Sequence, residues 1–203
     1  MTTDDRHTRD QLLDAALRLF AERGYAATSI AEIQRECGLS PGSGALYKHF
    51  DSKNALLRAA MRRQLDRLTA AREAQDAVAD TGQSGAMARI PVAIWDGIVG
   101  NADLFRVMFR EPDAIDDFAD EVFSGVIADV YQKFGESMRA AAAEGPAEVE
   151  DPEATSAVLI AALAYLPVVK ILIGRTPGDI EPARFHDAWV RLSRAAFRGT
   201  VPR

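Results

Sequence analysis

The sequence predicts an all-α protein, and three observations carry that prediction. Apolar residues recur at helical spacing through nearly every long stretch. No stretch alternates apolar and polar residues as a half-buried strand would. The interruptions fall where glycine, proline and acidic turn residues gather: at Gly24, Gly38, Gly100-Asn101, Glu111-Pro112-Asp113, Glu144-Gly145-Pro146 and residues 174–178. Of the 203 residues 48% are apolar, enough for a substantial core, and 27% are charged, as in ordinary globular chains.

Taken in order, residues 1–7 read as disordered, and Thr8 caps a first helix that runs to Arg23. Leu12, Leu13, Ala16, Leu17, Leu19 and Phe20 give that helix one apolar stripe. Gly24 ends it. Ser29 with Glu32 three residues later forms a capping box for a second helix through Glu36. Gly38 suits the left-handed C-cap, and Ser40-Pro41 suit the cap and first residue of the next element. In the run Ala45-Leu46-Tyr47-Lys48-His49-Phe50, helical spacing puts Leu46 and Phe50 on one face and Tyr47 and Lys48 on another. Two short helices with such a turn make a helix-turn-helix, whose second helix can enter the DNA major groove.

A further helix is expected from Lys53 to near Gln75, with Leu56, Leu57, Ala60, Met61, Leu65 and Leu68 in period. Residues 76–85 lose the period and read as a connection. Helices follow at 86–99, 102–110, 115–143, 153–173 and 182–198. The domain boundary is placed near Asp51, dividing a three-helix head (1–52) from a helical bundle (53–203).

Two of the later helices look outward as well as inward. Residues 157–169 are apolar almost without a break, yet the run falls short of the ~20 residues a membrane span needs and carries Pro167, expected to kink it, and Lys170. No membrane partner is expected. A helix apolar all round is buried on one side by its own domain and on the other by a partner. The last helix repeats apolar residues at Phe185, Ala188, Trp189, Leu192, Ala195 and Ala196. Together the pair suits a self-complementary two-fold interface, a four-helix bundle between two copies with Leu163 and Trp189 in it.

Charge and chemistry narrow the function. Residues 1–75 hold 12 Lys and Arg against 10 Asp and Glu, or +2, and residues 76–203 hold 12 against 20, or −8, which sum to the net −6. A weakly basic head on an acidic body is compatible with DNA binding, provided that the cations are grouped on one face. The three histidines, His7, His49 and His186, are scattered, and Cys37 is the single cysteine. Neither a metal site, a cofactor motif nor a nucleophile elbow is present, so no cofactor and no enzyme activity are expected. The start MTTDDRHTRD is polar and acidic, unlike a secretory leader, and a cytoplasmic location is expected.

The wording of the head is more specific than its shape. GY-x-x-TSI, then CGLS, then LYKHF-x-SK-x-ALL resembles the DNA-binding domain of the TetR/AcrR family of transcriptional regulators, over roughly residues 8 to 60. The resemblance implies phosphate contacts by Thr28, Tyr47 and Lys53. Ser43, Ala45 and Lys48 are then the groove-facing residues, with Ser29, Ser40 and His49 flanking them. One departure stands out. Family members usually place four residues between the hydrophobic residue after the turn glycine, here Leu39, and the Leu-Tyr pair. This chain places six, residues 40–45, two of them glycine. Glycine at a helix start costs about 1 kcal/mol against alanine, so Gly42 and Gly44 are expected in the turn or in a loose first turn.

The resemblance also implies a homodimer through the last two helices and an effector pocket in the bundle. Large apolar groups crowd residues 90–134, and the pocket is expected among Trp95, Ile98, Phe105, Met108 and Phe109. Val122, Phe123, Val126, Ile127 and Tyr131 continue it, with Tyr165 beside them. The function so implied is a ligand-responsive regulator, a repressor released from a palindromic double-stranded operator by a small apolar or aromatic effector. The alternative is a helical small-molecule carrier or helical-bundle enzyme without sequence-specific DNA binding.

Overall fold

The structure, a computed structural model, describes residues 3–42, 44–78, 83–112, 115–144 and 151–197. Every long element among them is helical, with no strand among the described residues: α1 (Thr3–Arg23), α2 (Ile30–Glu36), α3 (Lys53–Val78), α4 (Gln83–Val99), α5 (Ala102–Arg110), α6 (Asp116–Val122), α7 (Ala128–Glu144), α8 (Pro152–Ile173) and α9 (Pro182–Phe197). The first helix starts at Thr3, so the segment before Thr8 is not wholly irregular as expected. Asp5 lies in its first turn, where negative charge complements the helix dipole.

Expected and observed boundaries otherwise agree closely, except at the recognition element after Leu39, a single 3-10 turn at Leu46–Lys48, and over 115–143. There α6 passes into a wider π-helical turn, Phe123–Ile127, before α7. Such a turn inserts an extra residue into the helical ladder and re-aims the side chains after it.

The residues gather in two compact units. The first joins Met1–Ala70 to Asn101–Asp120, and the second joins Ala71–Gly100 to Glu121–Arg203. In the first unit α1 packs against both α2 and α5. Leu12, Leu13, Ala16, Phe20, Ile33 and Leu46 are fully enclosed, as are Leu56, Leu57 and Met61 of α3 and Leu104 and Val107 of α5. The stripe read along residues 12–20 is therefore core, at about 25 cal/mol per Å² of apolar surface removed from water.

In the second unit α8 packs against α4, α7 and α9, and α4 and α7 also meet α9. Phe134, Met138, Leu159, Ile160, Leu163 and Trp189 form its centre. Asp151 caps α8 by accepting from the Ala154 N–H at 2.9 Å, with Pro152 in the first turn. At 22 residues and a mean hydropathy of 2.3, α8 meets the length and composition of a membrane span, contrary to the expectation of a short run. It does so because the helix continues through Pro167 to Ile173. Its Leu159, Ile160, Leu163, Leu166 and Ile171 are buried within the second unit.

Candidate nucleic-acid interface

The head is built around the turn between α1 and α2. Gly24 takes φ +91°, and a Cβ there would stand 3.2 Å from a Glu111 carboxylate oxygen. That carboxylate accepts the Tyr25 N–H at 2.8 Å. Beside it, the Arg110 guanidinium donates to the carbonyls of Ala21 and Glu22 at 2.8 and 3.3 Å, satisfying acceptors that the end of α1 leaves open. From the other side Lys53 donates through Nζ to the Tyr25 carbonyl and lies 4.2 Å from the centre of the Tyr25 ring. Burial pushes the Lys53 ammonium below the ordinary lysine value, while Glu111 and Glu32 pull it back up. Thr28, 1% exposed, donates its hydroxyl to Gly24 O at 2.9 Å, with Leu19 O at 3.2 Å. Thr28 and Lys53, the two phosphate contacts that the resemblance implies at this turn, are thus engaged inside the head.

The next element follows from the sequence more directly. Ser29 caps α2: its Oγ accepts from the Glu32 N–H at 3.2 Å, and Glu32 Oε2 accepts the Ser29 N–H at 2.7 Å. The Ser29 backbone hydrogen bond, then its hydroxyl, hold the Glu32 carboxyl below the usual range. Gly38 takes φ +70° after the helix. Burial raises the pKa of the half-buried Cys37 thiol beside it.

Beyond Leu39 the chain departs from the expected recognition helix. A single 3-10 turn, Leu46–Lys48, stands where a helix through Phe50 was expected. Gly42 and Gly44, at φ +81° and +69°, keep the residues before Ala45 out of a right-handed helix, as left-handed residues cannot belong to one. Gln34, 2% exposed, holds this turn in place by accepting the Gly42 N–H at 3.3 Å. The sequence gives little warning of this role for a polar residue on a short helix. Leu46 and Phe50 anchor the element inward at 0% and 5% exposure. Tyr47, 57% exposed, and Lys48 face solvent, His49 and Ala45 are half-buried, and Ser40 is exposed. Ser43 lies outside the described residues.

The residues expected around an effector divide between the units. Phe105, Met108 and Phe109 belong to the first, and Trp95, Ile98, Val122, Phe123, Val126, Ile127, Tyr131 and Tyr165 to the second. Trp95, Ile98 and Val122 are buried and Tyr131 is half-buried, whereas Phe123, Ile127 and Tyr165 are 61%, 40% and 67% exposed. The Val126 side chain lies outside the described residues. Two partners of Trp95 were not foreseen: the Lys170 ammonium, 5.3 Å from its ring centre, and His186, edge-on at 5.7 Å.

The expected two-copy interface also needs a correction of residues. Trp189 and Leu163 are 2% and 1% exposed inside the second unit, and the Trp189 Nε1–H donates to Leu159 O at 2.8 Å. The outward apolar residues of these two helices are Val158, Tyr165, Leu172, Ile173 and Leu192. A repeat of 3.6 residues marks an apolar stripe without telling an inner from an outer one.

Residues 12–60 match the tetR family of bacterial regulatory proteins. The chain is 51% identical over 49 residues to the uncharacterized HTH-type transcriptional regulator YerO of Bacillus subtilis, covering 24% of this chain and 16% of that protein. It is 42% identical over 67 residues to the HTH-type transcriptional repressor ComR of Escherichia coli, covering 33% and 31%. The match thus spans less than a third of either relative's length. Along the whole chain the fold is similar to the crystal structure of the TetR-family transcriptional regulator PfmR from Thermus thermophilus, with a TM-score of 0.66, 22% identity and all of both chains covered.

Proposed function

From the match of residues 12–60 to the tetR family, we propose that this chain is a DNA-binding transcriptional regulator that acts as a homodimer. The observation that carries the reading is the head itself. A capped α2 and a tightly held turn present Tyr47 and Lys48 outward while Leu46 and Phe50 anchor them from within. Tyr47 and Lys48 supply phosphate and groove contacts, and Ala45 lies close enough in sequence to meet a base edge. The dimer forms through the outer faces of α8 and α9, where Val158, Tyr165, Leu172 and Leu192 are 46% to 68% exposed in a single copy. Two heads related by a two-fold axis read two half-sites of a palindromic operator.

Repression is the favoured direction, supported by the name of ComR, a repressor similar to this chain over its head. A small apolar effector acts through the second unit, where the π-helical turn sets Phe123 and Ile127 facing solvent. An effector that lowers operator affinity by roughly 5–150-fold supplies a coupling of about 1–3 kcal/mol.

Footprinting on DNA flanking the chain's own gene tests the reading. The expected result is protection of two half-sites about one helical turn apart. Ligand binding without any sequence-specific protection would favour the small-molecule carrier and overturn the regulator.

A further inference from the structure

Residues 1–75 carry a net charge of only +2, so cations that meet DNA must be grouped where it lies, and most of the cations of the first unit are already engaged. Arg18 pairs with Glu22 and Glu36, Arg23 with Glu32, Arg63 with Asp10 and Asp14, and Arg106 with Asp103. Arg110 and Lys53 donate to backbone carbonyls. Arg9 differs from all of these. Among the described residues it has no carboxylate partner, and its guanidinium lies 5.2 Å from the centre of the Phe50 ring. Phe50 is 5% exposed and closes the recognition turn, its N–H donating to Leu46 O at 3.0 Å. The His49 ring lies 6.3 Å from it. The contact sets a planar cation on a buried ring whose residue lies two positions from Lys48, an exposed cation of the turn.

We propose that Arg9 is a DNA-phosphate contact, held by Phe50 against the backbone that flanks the recognition turn. The inference rests on the DNA-binding reading above and adds to it a contact from α1, outside the helix-turn-helix. A guanidinium offers paired N–H donors to phosphate oxygens, and prior stacking reduces the side-chain freedom lost on binding. Its role is positional: it adds affinity and salt dependence for any sequence and no base preference.

The test is the salt dependence of binding to a mixed-sequence duplex, with the full chain carrying Arg9→Ala, Arg9→Met or Arg9→Lys. Arg9→Met keeps an apolar stem over Phe50 and removes the charge. The Ala and Met variants should each lower the slope of log K against log salt by about 0.9 per head engaged, while Arg9→Lys keeps the slope near that of the wild type. Arg67→Ala, at a cation 3.6 Å from Asp14, serves as the comparison and should leave the slope unchanged. Wild-type slopes in both the Ala and Met variants, with their folds intact by circular dichroism, overturn the assignment and leave Arg9 a packing residue. A wild-type protein that binds no duplex removes the DNA-binding reading and this inference with it.

Discussion

The Thr28 hydroxyl meets the Gly24 and Leu19 carbonyls in a site closed to water, so its loss should register first in stability. Thr28→Val keeps the shape and leaves those acceptors short of a partner, a cost of about 1–2 kcal/mol. Urea titration should show it, and a variant as stable as the wild type would return the hydroxyl to the DNA-facing role. Lys53 is a similar case. Its removal frees the Tyr25 carbonyl, and Lys53→Ala should lower the melting temperature as well as weaken DNA binding. A variant with wild-type melting and a lower salt slope would show that the ammonium leaves Tyr25 for phosphate.

His186 gives a pH-dependent prediction. Its Nε2 is buried without a hydrogen-bond partner among the described residues, and burial lowers its pKa from the ordinary value of 6.5, with Asp96 and Asp187 opposing. The Lys170 cation lies on the Trp95 ring that His186 meets edge-on, the other charge close to this site. A folded-state pKa below the unfolded one means that the unfolded chain takes up the proton first. Stability from this group is therefore complete above about pH 6.5 and declines as pH falls through that value. His186→Phe keeps a ring against Trp95 and should flatten the loss of stability as pH falls below about 6.5. An unchanged acid profile in that variant would assign the loss to other groups.

Among the elements, the recognition turn departs furthest from an ordinary helix. Among the described residues, chain neighbours aside, nothing lies within 4 Å of where a Cβ would sit on Gly42 or Gly44, so alanine there is opposed by backbone conformation. Each Gly→Ala change at positive φ should cost about 1–2 kcal/mol. If the double variant instead gained stability, the segment would be free to become helical and the left-handed turn would not be its preferred state. The glycine pair was legible because it is local: two extra residues and two glycines are visible in the string of letters. The capping box and Gly38 were legible for the same reason. The partners of Thr28 and Lys53 were not, since a hydroxyl or an ammonium at a turn serves a phosphate as readily as a carbonyl, and only the packed chain distinguishes them. The bond from Glu111 to Tyr25 joins residues 86 apart in sequence, beyond any local pattern.

For the whole molecule, the boundary between inside and outside separates two kinds of variant. Trp189→Glu buries a charge in the centre of the second unit and should unfold it, because an unpaired buried charge costs several kcal/mol. Tyr165→Glu with Leu192→Glu places charge on the outer faces of α8 and α9. That pair should give folded monomers in sedimentation at micromolar concentration, with operator affinity lost. Dimers that persist in the pair would move the two-fold interface to another face. The sequence identified both helices and misjudged which of their residues face out, since α8 is apolar around most of its circumference.

The first unit is not one continuous stretch of chain: Asn101–Asp120 returns to it after thirty residues given to the second unit, Ala71–Gly100. During synthesis, α1 emerges with its stripe complete but without α5, whose Leu104 and Val107 belong to the same core. At about 5–20 residues per second, roughly 2–8 s separate Ala70 from Glu111 on the ribosome. Through that interval the nascent head has an open apolar side and a Tyr25 amide without its carboxylate. A stalled or truncated transcript ending near Ala70 would therefore yield a half-closed head, prone to chaperone capture and proteolysis rather than to stray binding on the chromosome.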